Sequence, residues 1–289
     1  MSSPELNVGP KWYERRQEIE NEFEQVEFPE IEADTVSQDH EWCVVKMNGE
    51  TKRVRFHDYD EIYKVPGLYE EIFYERLECC SPERVASLLE DVLADFEENP
   101  EDLRVLDLGA GNGMVGDELQ SRGVDHIVGV DIIDEAKDAA LRDRPDVYRD
   151  YGIADFTDLP EDEVKDLQRK RFNSLVSVAA LGFGDIPATA FAQALDLITV
   201  DGWVAYTIKE DFLQEHDTSG FAKAIRRLMN DGNLQVQAYR RFQHRISVTG
   251  EPLYYVAMIA RKLTDVPRDM LPEAESGLTD AEPASTSDE

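Results

Sequence analysis

Basic residues are scarce in this sequence, and it has no long apolar run. The chain contains 30 Lys and Arg against 62 Asp and Glu, which gives a net charge of −32 at pH 7. Such an excess of negative charge repels nucleic acids and anionic lipids, so neither is expected as a partner. No apolar run approaches the roughly 20 residues that cross a bilayer, so no membrane association is expected.

Cysteine is also rare, and the three cysteines lack the even number and the spacing of a disulfide framework. Cys79 and Cys80 are adjacent, without the two-residue gap of a zinc-binding pair, so no metal site is expected. We interpret these two residues and Cys43 as reduced thiols. The first eleven residues lack the apolar stretch of a signal peptide, and a cytoplasmic location is expected.

Apolar residues make up 42% of the chain, which is enough for a full-sized core. The acidic excess fits either adaptation to high salt, where ions screen the self-repulsion, or an ordinary acidic protein with acidic tails. We divide the 289 residues into four parts. These are an acidic, partly disordered N-terminal segment (1–38), a hairpin with an aromatic helical lid (39–81), an α/β domain (82–263) and a disordered acidic tail (264–289).

The N-terminal part contains a hairpin signal. Residues 11–26 are compatible with a polar helix. Two strand-like runs follow, 41–47 and 51–56, and they flank Asn48-Gly49. This dipeptide readily adopts the two positive φ angles of a type I′ turn, so the sequence predicts a β-hairpin.

Aromatic residues are dense between 57 and 77, the segment that we call the lid. Pro66-Gly67 divides the lid into two short helices. A longer helix with apolar residues at helical spacing follows. We predict Ser81 as its N-cap and Pro82 as its first residue.

Strands and helices alternate from residue 103 onward, which is typical of a parallel sheet covered by helices on both faces. The predicted strands are 104–108, 126–130, 148–154, 172–179, 202–208, 234–242 and 254–260. No helix separates the last two strands, so they are predicted to form an antiparallel pair at one edge. The basic run 239–245 is expected to lie on this edge and to balance the acidic surface.

The strongest local signal is the sequence Asp107-Leu108-Gly109-Ala110-Gly111-Asn112-Gly113, between a buried strand and a helix. Alternating glycines let the backbone approach a ligand closely, and the following helix presents free N–H groups. Because Gly111, Gly113 and Gly116 also satisfy the dinucleotide pattern, the loop by itself fits either a dinucleotide or S-adenosylmethionine. The carboxylate of Asp107 is unfavourable near a diphosphate but favourable near the ammonium and sulfonium charges of S-adenosylmethionine.

Two further carboxylates follow the next strands. Asp131 ends the second strand of the domain, where it can accept hydrogen bonds from both ribose hydroxyl groups. Asp155 follows the third strand and can accept from the adenine amino group, while Phe156 can pack on the ring. The alternatives are a chance acid at a strand end for Asp131 and a turn cap for Asp155.

These motifs resemble the class I S-adenosylmethionine-dependent methyltransferase family over residues 57–262. Asp107 and the loop glycines match its first motif, Asp131 its ribose acid and Asp155 its adenine acid, while Asn173 stands where an Asp is usual. The resemblance implies an α/β fold: a Rossmann-like, doubly wound seven-stranded sheet in the order 3-2-1-4-5-7-6, with the last strand antiparallel. The expected residues that bind the cofactor S-adenosyl-L-methionine are Asp107, Gly109, Ala110, Gly111, Gly113, Asp131, Ile132, Asp155, Phe156 and Ala179.

Residues 179–187 are also similar to the methyltransferase-like proteins of the Williams–Beuren region, but this similarity does not identify an acceptor. The acceptor is expected beyond the carboxyl ends of the strands, near loops 179–185 and 209–211. The candidate catalytic residues are His57, Tyr59 and Tyr63. A tyrosine near the sulfonium can give cation–π stabilisation, and the alternative is that these aromatics only pack the lid on the sheet.

No Asn-Pro-Pro-Tyr-like string follows the fourth strand, where enzymes that methylate amino groups of nucleic acid or protein often carry one. Together with the charge, this favours a small-molecule substrate, with a protein substrate as the next possibility. Two other functions stay open at this point: an NAD-dependent oxidoreductase and a non-catalytic module that binds S-adenosylmethionine.

Overall fold

The predicted hairpin is the centre of a small antiparallel sheet. The structure is a computed structural model, and it describes residues 15–30, 37–181, 186–210 and 220–272. The sheet has the order β1-β2-β3 and consists of β1 (Gln25–Glu27), β2 (Trp42–Met47) and β3 (Glu50–Arg55). Asn48 and Gly49 have φ angles of 51° and 78°, which confirms the turn with two positive φ angles.

Strand β1 corrects the prediction of a polar helix over 11–26, because helical conformation is confined to 15–18 within the described part of that stretch. Val26 pairs with Val45 on β2 and is buried, while the residues on either side of it are exposed. Pairing with the hairpin therefore decides the conformation of a segment whose own pattern is weak.

The lid packs against this small sheet. It contains α1 (Tyr59–Tyr63) and α2 (Leu68–Glu70), and α2 continues directly into a π-helical segment, Glu71–Arg76. The break at Pro66-Gly67 is confirmed, and Gly67 has a φ of 75°. Apolar side chains of the lid and the sheet share one core, which includes Val45, Val54, Phe56, Ile62, Leu68, Ile72 and Phe73.

A second, larger sheet carries the predicted α/β domain. Its strands are β4 (Arg104–Leu108), β5 (His126–Asp131), β6 (Asp150–Ile153), β7 (Ser174–Ser177), β8 (Trp203–Lys209), β9 (Leu234–Ile246) and β10 (Pro252–Lys262). Their order is β6-β5-β4-β7-β8-β10-β9, and β10 is antiparallel to both of its neighbours. Counted along the domain this is 3-2-1-4-5-7-6, so the predicted fold class is confirmed.

Helices cover both faces of this sheet. Within the described residues they are α3 (Ser81–Asp95), α4 (Met114–Ser121), α5 (Asp134–Asp143), α6 (Glu161–Arg169), α7 (Ala188–Asp196) and α8 (Phe221–Asn230). Val105 and Leu106, neighbours on β4, belong to separate cores on opposite faces, as the alternation of a strand requires. Residues of α3 and α4 complete one core, and residues of α7 and α8 complete the other.

Two boundary predictions are wrong. Cys80, not Ser81, occupies the N-cap position of α3, because the Ser81 hydroxyl bonds with His244 instead of a backbone N–H. The segment predicted as a tail is packed over 264–272, where Val266 and Met270 are buried in the core. The remainder of that segment, 273–289, lies outside the described residues. Of the helices that the structure describes, none has the length and apolar character to cross a membrane.

Candidate active site

The glycine loop leaves β4 at the carboxyl edge of the sheet and leads into α4. Its backbone is tied to the neighbouring strand, because the N–H of Gly109 donates to the carbonyl of Val130 over 2.9 Å. Gly111 has a φ of 54°, in the left-handed region that favours glycine. A Cβ at Gly111 would lie 2.7 Å from the Tyr63 hydroxyl oxygen, so only glycine lets the lid close on the loop.

Asp131 lies beside this loop at the end of β5. Its Oδ2 accepts the N–H of Gly111 over 2.9 Å, and its Oδ1 accepts the N–H of Ile133 over 3.1 Å. Burial raises the pKa of Asp131, and hydrogen bonds from the backbone N–H groups of Gly111, Ile133 and Ile132 counteract that rise. The backbone thus orients the carboxylate while its remaining lone pairs stay available to ligand hydroxyl groups.

One cavity of about 330 Å³ connects these elements with the lid. Eight of the ten residues expected to bind the cofactor line it: Gly109, Ala110, Gly111, Asp131, Ile132, Asp155, Phe156 and Ala179. The three candidate catalytic residues, His57, Tyr59 and Tyr63, line it as well. Segments from five separate parts of the sequence therefore meet around a single space.

Asp107 and Gly113 lie outside this lining. Asp107 is fully buried behind the loop, where its Oδ2 accepts a hydrogen bond from the Tyr148 hydroxyl over 2.8 Å. Desolvation raises the pKa of Asp107 to about 7, although the Tyr148 hydrogen bond opposes the rise. A Cβ on Gly113 would come within 3.0 Å of the Tyr148 ring. Both positions lie behind the loop, and the Oδ1 of Asp107 has no hydrogen-bond partner among the residues that the structure describes. Their direct contact with a ligand stays a prediction.

Asp155 lines the cavity and also caps a turn. Its Oδ1 accepts both the N–H and the hydroxyl of Thr157, over 2.8 and 2.7 Å, and the hydroxyl is the main cause that lowers the pKa of Asp155. The turn-cap role and a ligand role are therefore compatible, because each carboxylate oxygen has two acceptor sites. Ile132 presents an apolar side chain that is 61% exposed beside it.

A buried ion pair joins the lid to the glycine loop. Glu70 of α2 accepts hydrogen bonds from Arg144 over 2.9 Å and from the Asn112 side chain over 2.8 Å. Arg144 also donates to the Asn112 carbonyl, and all three side chains are buried. Sequence reasoning missed this network, because Glu70 and Arg144 are 74 residues apart and neither belongs to a recognisable motif.

The opposite end of the cavity contains residues of the basic run 239–245. Strand β9 is the edge strand, as predicted, and 239–241 are exposed on it. His244 and Arg245, however, are buried and line the cavity, which corrects the surface role expected for them. The Arg245 guanidinium pairs with the buried carboxylate of Glu41, so its charge is neutralised inside the protein.

His244 is held on two sides. Its Nδ1 lies 2.6 Å from the Ser81 hydroxyl and 3.8 Å from the Cys79 sulfur, and its ring stacks on Tyr255 with centroids 4.1 Å apart. Gln38 completes the group by donating to the Tyr255 hydroxyl over 3.1 Å. Burial lowers the pKa of His244 well below its ordinary value, and the neighbouring Arg245 lowers it further. The imidazole is therefore neutral at physiological pH.

Three predictions remain: the loops near the acceptor, the reduced cysteines and the expectation of no metal site. Residues 182–185 and 211, which belong to the loops expected near the acceptor, lie outside the described residues. Burial raises the pKa of Cys43 and Cys79 to about 12, so both thiols stay protonated. In the part of the chain that the structure describes, no group of three or more His, Cys, Asp and Glu is arranged to hold a metal ion.

The sheet order, the reversed β10 and the glycine loop over an enclosed cavity define a Rossmann-like domain of the methyltransferase type. The chain belongs to the methyltransferase domain family, whose model matches residues 81–247, more than half of the sequence. No curated protein matches the sequence.

Three solved structures illustrate the fold similarity. Magnesium protoporphyrin IX methyltransferase from Synechocystis PCC 6803, solved with bound SAH, is 14% identical with a TM-score of 0.45, and the match covers 62% of this chain and 83% of that one. A SAM-dependent methyltransferase from Methanosarcina mazei is 15% identical with a TM-score of 0.40, and the match covers 56% and 93%. The ribosomal protein L11 methylase from Lactobacillus delbrueckii subsp. bulgaricus is 15% identical with a TM-score of 0.40, and the match covers 62% and 77%. These values are low, so the family model is the basis for the assignment.

Proposed function

We propose that the chain is an S-adenosylmethionine-dependent methyltransferase that methylates a small molecule. The observation that carries this proposal is the meeting of the glycine loop, Asp131 and Asp155 around one cavity. The residues fit the cofactor in three respects. Gly109, Ala110 and Gly111 bring the loop backbone to the cavity wall, Asp131 offers an oriented acceptor for hydroxyl groups, and Ile132 offers an apolar surface for a ring.

When bound, S-adenosylmethionine supplies an electrophilic methyl group for a nucleophilic acceptor atom. The protein's part is to hold the nucleoside through Asp131 and Asp155 and to exclude water with the aromatic lid. Positioning and desolvation provide most of the acceleration in such a reaction, so a general base is not required. The Tyr63 hydroxyl, against Gly111, places one lid aromatic directly beside the loop.

The fold disfavours the dinucleotide alternative. A dinucleotide-binding sheet has six parallel strands in the order 3-2-1-4-5-6. Here β10 is inserted antiparallel between β8 and β9, and the family model that matches is a methyltransferase domain. The glycine pattern that fits both ligands therefore occurs in the methyltransferase topology.

Two features support a small-molecule acceptor. The cavity lies beneath the lid and has a volume of about 330 Å³, which is in the range of small-molecule sites. The net charge of −32 repels the phosphate backbone of a nucleic acid.

Calorimetry with S-adenosylhomocysteine and with NADH tests the cofactor assignment. We expect S-adenosylhomocysteine to bind and NADH not to bind. Asp131→Ala should weaken S-adenosylhomocysteine binding about tenfold or more, because it removes hydrogen bonds from a charged acceptor. Asp138→Ala, which changes an exposed acid on α5, is the matched control and should bind as the wild type does. Tight NADH binding without S-adenosylhomocysteine binding would falsify the assignment.

The acceptor class is tested separately with S-adenosylmethionine that carries a deuterated methyl group. The protein is incubated with the small-molecule fraction and, in parallel, with the protein fraction of a cell extract. Mass spectrometry should find the label in a small molecule. Label confined to protein would contradict the small-molecule proposal, and label in neither fraction would favour the non-catalytic module.

A further inference from the structure

We propose that His244, Gln38 and Tyr255 form the acceptor-binding end of the cavity, and that the acceptor is an uncharged aromatic molecule with a hydrogen-bonding group. This inference rests on the proposed methyltransferase function. It gives a role to the part of the cavity that the proposed cofactor-binding residues do not line. None of the three residues belongs to the glycine loop or to the carboxylates that follow β5 and β6.

The strand order separates the two ends. Asp131 and Asp155 follow β5 and β6, on one side of β4. Tyr255 and His244 lie on β10 and β9, which are three and four strands from β4 on the other side. At about 4.8 Å per strand, Tyr255 is about 14 Å across the sheet from the glycine loop. Residues from both ends line the same cavity.

The hydrogen bonds of His244 define what it offers to a ligand. Ser81 and Cys79 both contact Nδ1, and within the described residues the Ser81 hydroxyl has no other hydrogen-bond partner. A buried hydroxyl that lacks another acceptor directs its proton to Nδ1. The ring proton of the neutral imidazole then resides on Nε2. Because His244 lines the cavity and its other nitrogen is occupied, it presents an N–H donor to a ligand.

Gln38 offers the complementary acceptor. Its amide N–H₂ donates to the Tyr255 hydroxyl over 3.1 Å, but its Oε1 is buried and has no hydrogen-bond partner among the residues that the structure describes. A buried polar atom without a partner is costly, and Gln38 lines the cavity. A ligand that donates to Oε1 would remove this cost. The cavity end therefore offers one donor and one acceptor.

The rest of this end is aromatic and carries no free charge in its described lining. Arg245 is neutralised by Glu41, and the two lining carboxylates lie at the other end. Besides Tyr255 and the two aromatics beside the loop and Asp155, Tyr63 and Phe156, the aromatic lining residues are Phe56, Tyr59, Tyr69, Phe73 and Tyr74. A charged acceptor would lose its hydration without gaining a counter-ion here. An uncharged ring can pack against these side chains and keep its polar group hydrogen-bonded.

Fluorine NMR with three probes of similar size tests the charge preference. The protein saturated with S-adenosylhomocysteine is titrated with 4-fluorophenol, 4-fluorobenzoate and 4-fluorobenzylamine. We expect a saturable shift with 4-fluorophenol and binding at least about tenfold weaker for the two charged probes. Stronger binding of either charged probe would overturn the proposed substrate class.

Variants at His244 test the hydrogen-bond assignment. His244→Leu should weaken 4-fluorophenol binding about tenfold, because the N–H donor is lost. His244→Gln should recover most of the affinity, because its amide can place an N–H near the position of Nε2. His126→Gln, at the amino end of β5 and remote from the cavity, should have no effect. Equal phenol binding by the wild type and His244→Leu would remove His244 from the acceptor site.

Binding of S-adenosylhomocysteine distinguishes failure of this inference from failure of the proposed function. All three variants should bind S-adenosylhomocysteine as the wild type does, which also verifies that they fold. If the wild type fails to bind S-adenosylhomocysteine, the proposed function is wrong. If it binds S-adenosylhomocysteine but no uncharged aromatic probe, the acceptor inference alone is wrong.

Discussion

At the scale of single residues, Asp107 links the glycine loop to the pH dependence of stability. Its carboxyl is fully buried, and its pKa is raised from 3.8 to about 7 by desolvation. Between these values the folded state binds more protons than the unfolded state. The free energy of unfolding therefore falls as the pH rises through this window and stays low above it.

We predict that Asp107→Asn stabilises the protein at pH 8. Asparagine cannot ionise, and its Oδ1 can still accept the Tyr148 hydroxyl proton. The gain should be on the order of 2–4 kcal/mol at pH 8 and should vanish towards pH 4, where both proteins are uncharged at this position. Urea unfolding at several pH values measures it. Asp138→Asn, on the exposed face of α5, is the control, and an equal gain in both variants would contradict the prediction.

The site residues that could be predicted from the sequence are those that belong to a motif of consecutive residues. The glycine loop is recognisable because strand, glycines and helix follow one another, and Asp131 because it ends the next strand. His244 gave no such signal, since its partner Ser81 is 163 residues away and the sequence pattern placed each in a different role. Asp107 was recognisable as part of the motif, but only the structure shows it behind the loop rather than in the cavity.

At the scale of elements, the lid and the glycine loop are joined through Glu70. Its carboxylate binds Arg144 and Asn112, and all of these side chains are buried. A buried guanidinium is tolerated only while its charge is compensated and its N–H groups are bonded. The position of the glycine loop at the cavity therefore depends on the lid.

We predict that Glu70→Ala destabilises the protein by about 3–5 kcal/mol, because the buried Arg144 loses its hydrogen-bonded carboxylate and the nearby Asp117 is already paired with Arg15. S-adenosylhomocysteine affinity should fall as well, because Asn112 in the loop loses its partner. Urea unfolding and calorimetry measure the two effects. The control is Glu75→Ala in the same segment: Glu75 pairs with Arg16 but is 43% exposed, so the change should stay within about 1 kcal/mol. If both variants lose the same free energy of unfolding, the hydrogen bonds of Glu70 do not stabilise the lid.

The central strands of the large sheet were predictable because they carry runs of apolar residues that both faces bury, whereas the edge strand β9 is buried at only a few positions. The three-residue strand β1 was not, because it is ordered by pairing with β2 rather than by its own pattern. The packing of 264–272 was missed for a similar reason. Val266, Met270 and Leu271 are the few large apolar residues of this stretch, and only the tertiary fold provides the core against which they pack.

At the scale of the whole molecule, the surplus of acids dominates the electrostatics. With 62 acidic and 30 basic residues, at least 32 acidic side chains have no basic side chain to pair with one to one. Their mutual repulsion opposes the compact state at low ionic strength. Raising the salt concentration from 0.1 M to 1 M shortens the screening length from about 10 Å to about 3 Å. The two interpretations of the acidity therefore differ in how stability responds to salt.

Adaptation to high salt predicts a thermal unfolding midpoint that rises by about 5–15 °C as KCl increases from about 0.1 M to about 1 M, because screening relieves the repulsion between unpaired acids. Differential scanning calorimetry at pH 8 measures the midpoint. Potassium sulfate at equal ionic strength is the control, because screening depends on ionic strength whereas solute exclusion favours sulfate. A similar rise in both salts supports relief of repulsion as the cause. A midpoint that does not change with KCl would show that repulsion between the acidic side chains does not measurably destabilise the fold. The chain would then be an ordinary acidic protein.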